Sequence, residues 1–347
     1  MEIGRYARAV LVSAPACGHQ RVQETRCLVL STVGFVDETA TGHEEEELAV
    51  SVEGMSLPAT VDLPELPTVG GLIPLHGAAF PRRDSFLYTH LASVLSGKGW
   101  AILRYDRRPS ERMVPLARQV EDALAALRLL RSRPALEDVP IGLWGVSQGA
   151  WTAVLAAAAT DEVAFLVLVG FSGVSPSRQM RYAIANFLRQ AGYGSAEDLA
   201  GLTELRQVYE AYVRGDTDRI AAQGRIDQFA DRPWFDLAYV PRALPDPSEI
   251  VDSAFFDFDP RDPLSQVRCP VILFYGAEDE EVPVDESIAA VEEVVESLGH
   301  PDLTVCRLEG VGHALTRDKR LDTGALHPDY ETTLITWLAE QVTPSVE

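Results

Sequence analysis

A serine between two glycines is the first residue in this chain whose surroundings indicate chemistry. The motif Gly145-Val146-Ser147-Gln148-Gly149 follows the apolar run IGLW and precedes the alanine-rich run AWTAVLAAAA. A strand, a tight turn and a helix in that order lift a serine out of a sheet to a helix N-terminus, where unpaired N–H groups favour negative charge. We therefore predict that Ser147 is a nucleophile. The alternative is an N-cap serine at an ordinary strand-to-helix turn.

A serine nucleophile needs a base and an acid that orients the base, and two later loops supply such residues. The loop Glu309-Gly310-Val311-Gly312-His313 follows an apolar run, and its glycines allow the histidine to reach over the sheet edge. The run FYG ends in a loop that contains four neighbouring acids: Glu278, Asp279, Glu280 and Glu281. Spacing alone leaves all four open as the orienting acid. The chain order of serine, acid and histidine is that of hydrolases whose serine lies on a strand-to-helix turn.

An acyl-transfer site also needs two backbone N–H groups aimed at the developing oxyanion. One is predicted at Gln148, which follows the nucleophile. The other is predicted at Ala78 or Ala79, because the strand-like run LIPL ends in His76-Gly77 just before them. We expect His76 to orient this loop and not to act as a base.

The elements that must position these residues alternate between strands and helices from Gly71 onward. This alternation predicts an α/β fold with a mostly parallel central sheet and helices on both faces. It stops near Phe171 and resumes near Arg268, and the segment between contains helical stretches such as MRYAIANFLRQAG. We predict a β-rich N-terminal extension over 1–56, a core over 57–171 and 263–347, and a helical insertion over 172–262, here called the cap segment. The acidic run Glu44–Glu47 is predicted to be a solvated loop.

These motifs resemble the α/β-hydrolase superfamily over about residues 57–342, and more narrowly its bacterial dienelactone hydrolases and serine aminopeptidase-like esterases. The resemblance rests on LHGAAFPRRD, ILRYDRR, GLWGVSQGA, DPLSQVRCPVILFYGAEDEEVP and GVGHAL. It implies Ser147 as nucleophile, Asp279 as acid, His313 as base, and a lid role for the cap segment. The usual HGSG or HGGG run is here His76-Gly77-Ala78-Ala79, and the glycine-rich loop often found after Asp-x-Arg is here Asp106-Arg107-Arg108-Pro109-Ser110.

Composition excludes several other classes of function. The chain has 347 residues with 30 Lys and Arg against 52 Asp and Glu, a formal net charge of -22. This charge repels phosphate backbones and anionic lipids, so we expect no nucleic-acid partner and no membrane partner. The four cysteines form no CxxC pair, so no metal is expected, and the mechanism needs no cofactor. No run approaches 18 apolar residues, and a cytoplasmic protein is expected.

The leading hypothesis is a serine hydrolase that cleaves an ester, thioester or amide of a small-molecule acyl substrate through an acyl-enzyme. One alternative is an acyltransferase or cyclase with the same triad, in which a nucleophile other than water resolves the acyl-enzyme. Another is a receptor of this fold that binds a small molecule without turnover. Aromatic residues of the cap segment are candidates for the substrate pocket: Tyr182, Tyr209, Trp234 and Phe235.

Overall fold

The computed structural model describes residues 10–13, 43–110, 114–246, 254–298, 302–317 and 325–342. Its nine strands form one sheet in the order β1-β9-β8-β7-β6-β4-β5-β3-β2. β2 pairs with β3 and β3 with β5 in antiparallel register, and the remaining pairs are parallel. The strands are β1 Val10–Ser13, β2 His43–Val52, β3 Met55–Pro64, β4 Gly70–Leu75, β5 Trp100–Tyr105, β6 Ile141–Val146, β7 Leu166–Val169, β8 Val271–Gly276 and β9 Leu303–Leu308.

Helices cover both faces of the sheet, which confirms the predicted fold class. The helices outside the cap segment are α1 Phe86–Leu95, α2 Leu116–Arg131, α3 Gln148–Ala159, α9 Val284–Leu298 and α10 Pro328–Val342, and the short helix α8 Arg261–Leu264 crosses the C-terminal boundary of that segment. α2, α3 and α9 share one apolar cluster with strand residues such as Ile73 and Leu143, whereas α1 and α10 share another with Leu72 and Trp144. Neighbouring residues of one strand therefore enter opposite layers, as the two-residue period requires.

The cap segment leaves the sheet after β7 and returns before β8. Within its described residues, 172–246 and 254–262, lie α4 Pro176–Gln190, α5 Ala196–Arg214, α6 Arg219–Ile226 and α7 Ala254–Asp257. These helices pack around an apolar cluster of their own, distinct from the two clusters on the sheet. The helical content predicted for this part of the chain is present, and a separate core allows these helices to pack as a unit.

Of residues 1–56, the structure describes 10–13 and 43–56, and their strands belong to the central sheet. The rest of the predicted β-rich extension, residues 1–9 and 14–42, lies outside the described residues. The prediction of a loop at Glu44–Glu47 is wrong, because these residues lie in β2. Three of them meet arginines of the body: Arg104 Nη2 lies 3.2 Å from Glu45, Arg133 Nη2 lies 2.5 Å from Glu46, and Arg83 Nη2 lies 2.9 Å from Glu47. Charged side chains on an edge strand also discourage pairing with another chain.

Among the described residues, no helix has both the length and the apolar composition needed to cross a bilayer.

Candidate active site

Ser147 lies at the turn between β6 and α3 in a conformation that L-residues rarely adopt. Its φ is 54° and its ψ is -118°, and its side chain is half-buried. A Cβ atom on Gly145 would lie 2.4 Å from the carbonyl oxygen of Gly149, and one on Gly149 would lie 2.3 Å from the carbonyl oxygen of Leu75. Both glycines of the motif are therefore required by close backbone approach. A strained serine held by such contacts is the local geometry of a nucleophile elbow.

His313 and Asp279 are brought together from the loops that follow β9 and β8. The distance from His313 Nδ1 to Asp279 Oδ2 is 2.7 Å, and both side chains are buried. The other carboxylate oxygen, Oδ1, accepts the backbone N–H groups of Glu281 and Val282, each at 2.8 Å. Because these bonds fix the orientation of the carboxylate, the structure singles out Asp279 among the four acids as the one that binds His313 Nδ1.

The His313 ring lies beside the serine turn. The backbone N–H of Ser147 donates to the carbonyl of Val169 at 2.8 Å, and the next residue, Gly170, faces the imidazole. A Cβ atom on Gly170 would lie 2.7 Å from His313 Cε1 and 2.9 Å from Nδ1. Gly170 has a φ of 58°, so it provides both the backbone turn and the space for the ring. Sequence reasoning missed this residue, although its place at the end of a strand beside the serine strand was a usable signal.

A second carboxylate faces the other nitrogen of the imidazole. Glu281 Oε2 lies 3.9 Å from His313 Nε2, and within the described part of the chain Nε2 is buried without a hydrogen-bond partner. Burial lowers the pKa of His313, but the charges of Asp279 and Glu281 and the bond to Asp279 outweigh it and raise the pKa to about 9. Glu281 therefore affects the protonation of His313 without touching Nδ1.

The loop predicted to carry the first oxyanion donor lies directly against the serine turn. The backbone of Gly149 contacts the backbone of Leu75 and His76, as the close Cβ distances show. Gly77 to Phe80 form a turn closed by a bond from the Phe80 N–H to the Gly77 carbonyl at 3.1 Å, and Ala78 and Ala79 at its centre are exposed. Gln148 is the first residue of α3. The three predicted donors thus lie in two touching segments.

Contacts with the C-terminal end of β5 hold this loop. His76 Nε2 lies 2.7 Å from the carbonyl of Tyr105, and burial lowers the pKa of His76 to about 4, so the ring is neutral and donates. Arg107 Nη2 donates to the carbonyls of His76 at 3.0 Å and Gly77 at 2.7 Å. The sequence gives no sign of this role of Arg107, because nothing in its spacing indicates contact with the carbonyls of His76 and Gly77.

Helix α4 of the cap segment binds the acid loop through successive backbone carbonyls. Tyr182 Oη donates to Asp279 O at 3.2 Å, Asn186 Nδ2 to Glu280 O at 2.9 Å, and Gln179 Nε2 to Glu281 O at 2.6 Å. Residues 179, 182 and 186 share one face of the helix because their spacing is three and four. The cap segment and the acid loop are therefore directly linked.

The four aromatic residues predicted to line a pocket lie in different environments. Tyr182 is half-buried and reaches the acid loop. Tyr209 packs edge-to-face on Phe256 at 6.4 Å within the cap. Trp234 and Phe235 have no exposed surface and belong to the core of the cap segment. Of these four, Tyr182 is the residue that the structure brings to the acid loop, and the packing of the cap core accounts for Trp234 and Phe235.

The mostly parallel sheet with helices on both faces is the fold of the α/β-hydrolase class. A model of the alpha/beta hydrolase family matches residues 75–322, and the chain belongs to this family. It is accordingly a hydrolase. No curated protein matches the chain.

Solved structures similar to this chain include hydrolases with different substrates. A dienelactone hydrolase from Anabaena variabilis is 17% identical with a TM-score of 0.49, over 86% of this chain and 96% of that one. An esterase from Pyrococcus furiosus is 15% identical with a TM-score of 0.55, over 90% and 96%. The acylaminoacyl peptidase of Pyrococcus horikoshii is 15% identical with a TM-score of 0.54, over 88% of this chain and 43% of the peptidase. At these identities the likeness establishes the fold alone.

Proposed function

We propose that this protein is a serine hydrolase that cleaves a carboxylic ester, thioester or amide through an acyl-enzyme on Ser147. The observation that carries the proposal is the buried 2.7 Å bond between His313 Nδ1 and Asp279 Oδ2, located beside a strained serine turn. This bond sets the tautomer in which Nε2 is free to accept a proton, and a carboxylate at Nδ1 stabilises the imidazolium that forms.

The proposed reaction begins with neutral His313. Ser147 Oγ attacks the acyl carbon while Nε2 takes the hydroxyl proton, and the carbonyl π electrons move to the oxygen. The tetrahedral intermediate collapses, the C–O, C–S or C–N bond breaks, and the leaving group departs with the proton from Nε2. Water then attacks the acyl-enzyme with His313 as base again, which releases the acid and restores the serine. Asp279 remains ionised throughout.

The backbone N–H groups of Gln148 and of Ala78 or Ala79 are proposed to stabilise the oxyanion. Arg107 supports the assignment to Ala78, because it binds the Gly77 carbonyl of the Gly77–Ala78 peptide. The C=O and N–H of a trans peptide point in opposite directions, so a fixed carbonyl also fixes the N–H. A cationic donor on the carbonyl oxygen polarises the peptide and strengthens its N–H as a donor. In this proposal Arg107 is a positioning residue.

The proposal is tested with a fluorophosphonate probe and p-nitrophenyl acetate. The probe should add its mass to the peptide that contains Ser147, and the same protein should turn over the ester. Ser147→Ala is the control, because it keeps the backbone and removes only Oγ; it should lose labelling and lower kcat by roughly 10⁴- to 10⁶-fold. Labelling elsewhere, or turnover that survives in the folded variant, would overturn the assignment.

Product analysis separates hydrolysis from acyl transfer. With an ester substrate and a series of primary alcohols and amines, a hydrolase gives mainly the free acid at all moderate nucleophile concentrations. A transferase gives mainly the new ester or amide. Stable labelling of Ser147 without turnover of any ester would instead indicate a receptor.

A further inference from the structure

A groove on the cap segment carries positive charge that the mechanism does not use. It lies between α4 and α5 and has a volume of about 470 Å³. Arg178, Arg181 and Arg189 of α4 line it, and no Asp or Glu is among its lining residues. The chain as a whole contains 52 acids and 30 bases, so a concave surface lined by three arginines and no acid differs from the average charge of the chain.

The groove also has an apolar surface. Leu199 and Leu202 of α5 and the ring of Tyr182 of α4 line it together with the arginines. Leu202 is buried and belongs to the cap core, which fixes that wall. Concave sites with apolar walls and a few placed charges are the usual form of small-molecule pockets.

The nearby carboxylates neutralise the three arginines only in part. Arg178 pairs with Glu286 of α9 through two bonds. Arg181 lies 3.6 Å from Glu210, but that single carboxylate also has Arg206 at 3.2 Å and Arg214 at 3.7 Å.

Arg189 donates to the amide oxygen of Asn186 at 2.7 Å, and within the described residues it has no ion pair. Arg189 therefore has no compensating carboxylate among the described residues, and Arg181 shares Glu210 with Arg206 and with Arg214, which is also paired with Asp257. The positions of Arg181 and Arg189 differ by eight residues, so they lie on one face of α4, two turns apart.

We propose that this groove binds a small amphipathic anion, with a carboxylate or phosphate group at Arg181 and Arg189 and an apolar chain against Tyr182 and the leucines. Guanidinium groups suit such anions because their planar donors match carboxylate and phosphate oxygens. Two sources of this chemistry are possible: an anionic end of the acyl substrate itself, or a separate ligand. Only the first source rests on the proposed function.

Binding is measured first, by calorimetry, with octanoate as the anionic probe and 1-octanol as the uncharged one. Octanoate should bind more tightly than octanol, and its affinity should fall as NaCl is added, because the site is partly exposed. Arg181→Gln and Arg189→Gln should each weaken octanoate binding by about tenfold and leave octanol unaffected. Arg225→Gln is the matched control, because Arg225 is an exposed cap arginine that pairs with Glu204 and does not line the groove.

Equal affinity for octanoate and octanol, or equal losses in all three arginine variants, would overturn the proposal. Thermal unfolding of each variant shows whether a loss of octanoate affinity comes from the groove itself or from destabilisation of the fold. Because this measurement requires no turnover, it can succeed even if Ser147 is not a nucleophile.

A second measurement identifies the source of the anion. Kinetics are compared for the p-nitrophenyl monoester of succinic acid, which carries a free carboxylate, and for p-nitrophenyl butyrate, which does not. If the groove takes the substrate, Arg181→Gln raises KM about tenfold for the succinate ester only. If it takes a separate ligand, both esters react as before and octanoate binds protein whose Ser147 is blocked by phosphonate with unchanged affinity.

Discussion

At the scale of single residues, the protonation of His313 depends on two carboxylates with different roles. Asp279 accepts the Nδ1–H and orients the ring, whereas Glu281 lies 3.9 Å from Nε2 and only adds negative charge. In the proposed mechanism Nε2 must be unprotonated to accept the serine proton, so both charges should shift the onset of activity to higher pH. The pKa of His313 is raised to about 9, so kcat/KM should increase with pH up to that range.

Replacing Glu281 with Gln tests this electrostatic arrangement. Loss of the charge lowers the pKa of His313, so the acidic limb of kcat/KM should move to lower pH. At pH 7 more of the enzyme then has neutral His313, and kcat/KM should rise roughly two- to tenfold while the high-pH plateau stays the same. The pH profile of kcat/KM for p-nitrophenyl acetate measures this.

Glu278→Gln is the control, because Glu278 is exposed in the same loop, and the charges that raise the pKa of His313 come from Asp279 and Glu281. An identical shift of the acidic limb of kcat/KM in Glu281→Gln and Glu278→Gln would indicate a general charge effect. A fall of the plateau in Glu281→Gln would instead indicate a direct role for Glu281 in the reaction.

Arg107 offers a second test at this scale. If it polarises the Gly77–Ala78 peptide, Arg107→Gln should lower kcat by roughly 10- to 100-fold, less than the loss of an entire oxyanion donor, with little change in KM. The kcat of Arg107→Lys should lie between those of the unchanged protein and of Arg107→Gln, since an ammonium keeps the charge but not the planar geometry. Steady-state kinetics with one ester measure kcat and KM separately.

Arg82→Gln is the matched control for Arg107, because Arg82 is exposed and lines the same surface depression at the β5 end. Added guanidine should partly restore kcat in Arg107→Ala. Equal effects on kcat and KM, or a loss that only follows thermal stability, would mean that Arg107 merely holds the loop in the fold.

At the scale of elements, α4 connects the cap segment to the acid loop. Three side chains on one face of the helix donate to the carbonyls of residues 279, 280 and 281. The orientation of Asp279 depends on the same loop, because its Oδ1 accepts the N–H groups of residues 281 and 282. A movement of α4 would therefore shift the loop that holds Asp279, the residue that orients His313.

The combined variant Gln179→Ala, Tyr182→Phe and Asn186→Ala should loosen this loop. We expect kcat to fall roughly threefold to thirtyfold, because misplacement of a group that orients the base weakens catalysis. Stability should fall by about 1 kcal/mol for each lost bond. Turnover and thermal unfolding are measured on the same preparation.

Gln223→Ala is the control, since Gln223 makes several hydrogen bonds within the cap segment, to Asp227, Arg242 and Leu244, but belongs to α6. Gln223→Ala should lower stability by about as much for each lost bond as the α4 variant does, and it should leave kcat unchanged. If it lowers kcat as much as the α4 variant does, the acid loop responds to general loosening of the cap and not to these three bonds.

At the level of the whole molecule, the core of the cap segment and its junction with the acid loop are separate regions. Trp234 lies in its core, with Nε1 bonded to Asp198 at 2.8 Å, whereas Tyr182 lies at its junction with the acid loop. Trp234→Ala should lower the free energy of unfolding by about 3–5 kcal/mol and affect acetyl and bulky acyl esters alike. Tyr182→Ala should cost less stability and alter kcat/KM mainly for bulky acyl esters.

The ratio of kcat/KM for p-nitrophenyl octanoate to that for the acetate measures this difference, with denaturant unfolding as the stability measurement. A ratio that changes in Trp234→Ala but not in Tyr182→Ala would place the acyl pocket away from the junction of α4 with the acid loop.

The type and order of the elements can be predicted from the amino-acid sequence. The βαβ alternation, the glycines around Ser147 and the strand-end positions of the acid and histidine loops are local patterns, and local patterns follow from backbone sterics and the period of apolar residues. The helices from α4 to α6 were predictable for the same reason. The loop prediction for the acidic run Glu44–Glu47 is wrong, because these residues pair with β3 and their side chains meet arginines distant in the chain.

Other features of the site depend on contacts between distant segments, and these are known only from the tertiary structure. Spacing left four acids open, and the bonds from backbone N–H groups to Asp279 Oδ1 determine which one turns toward His313. The contacts of Arg107, the space at Gly170 and the burial of Trp234 likewise arise where separate strands and helices meet. Such contacts have no period along the chain, because they are set by packing of the folded elements and not by local conformation.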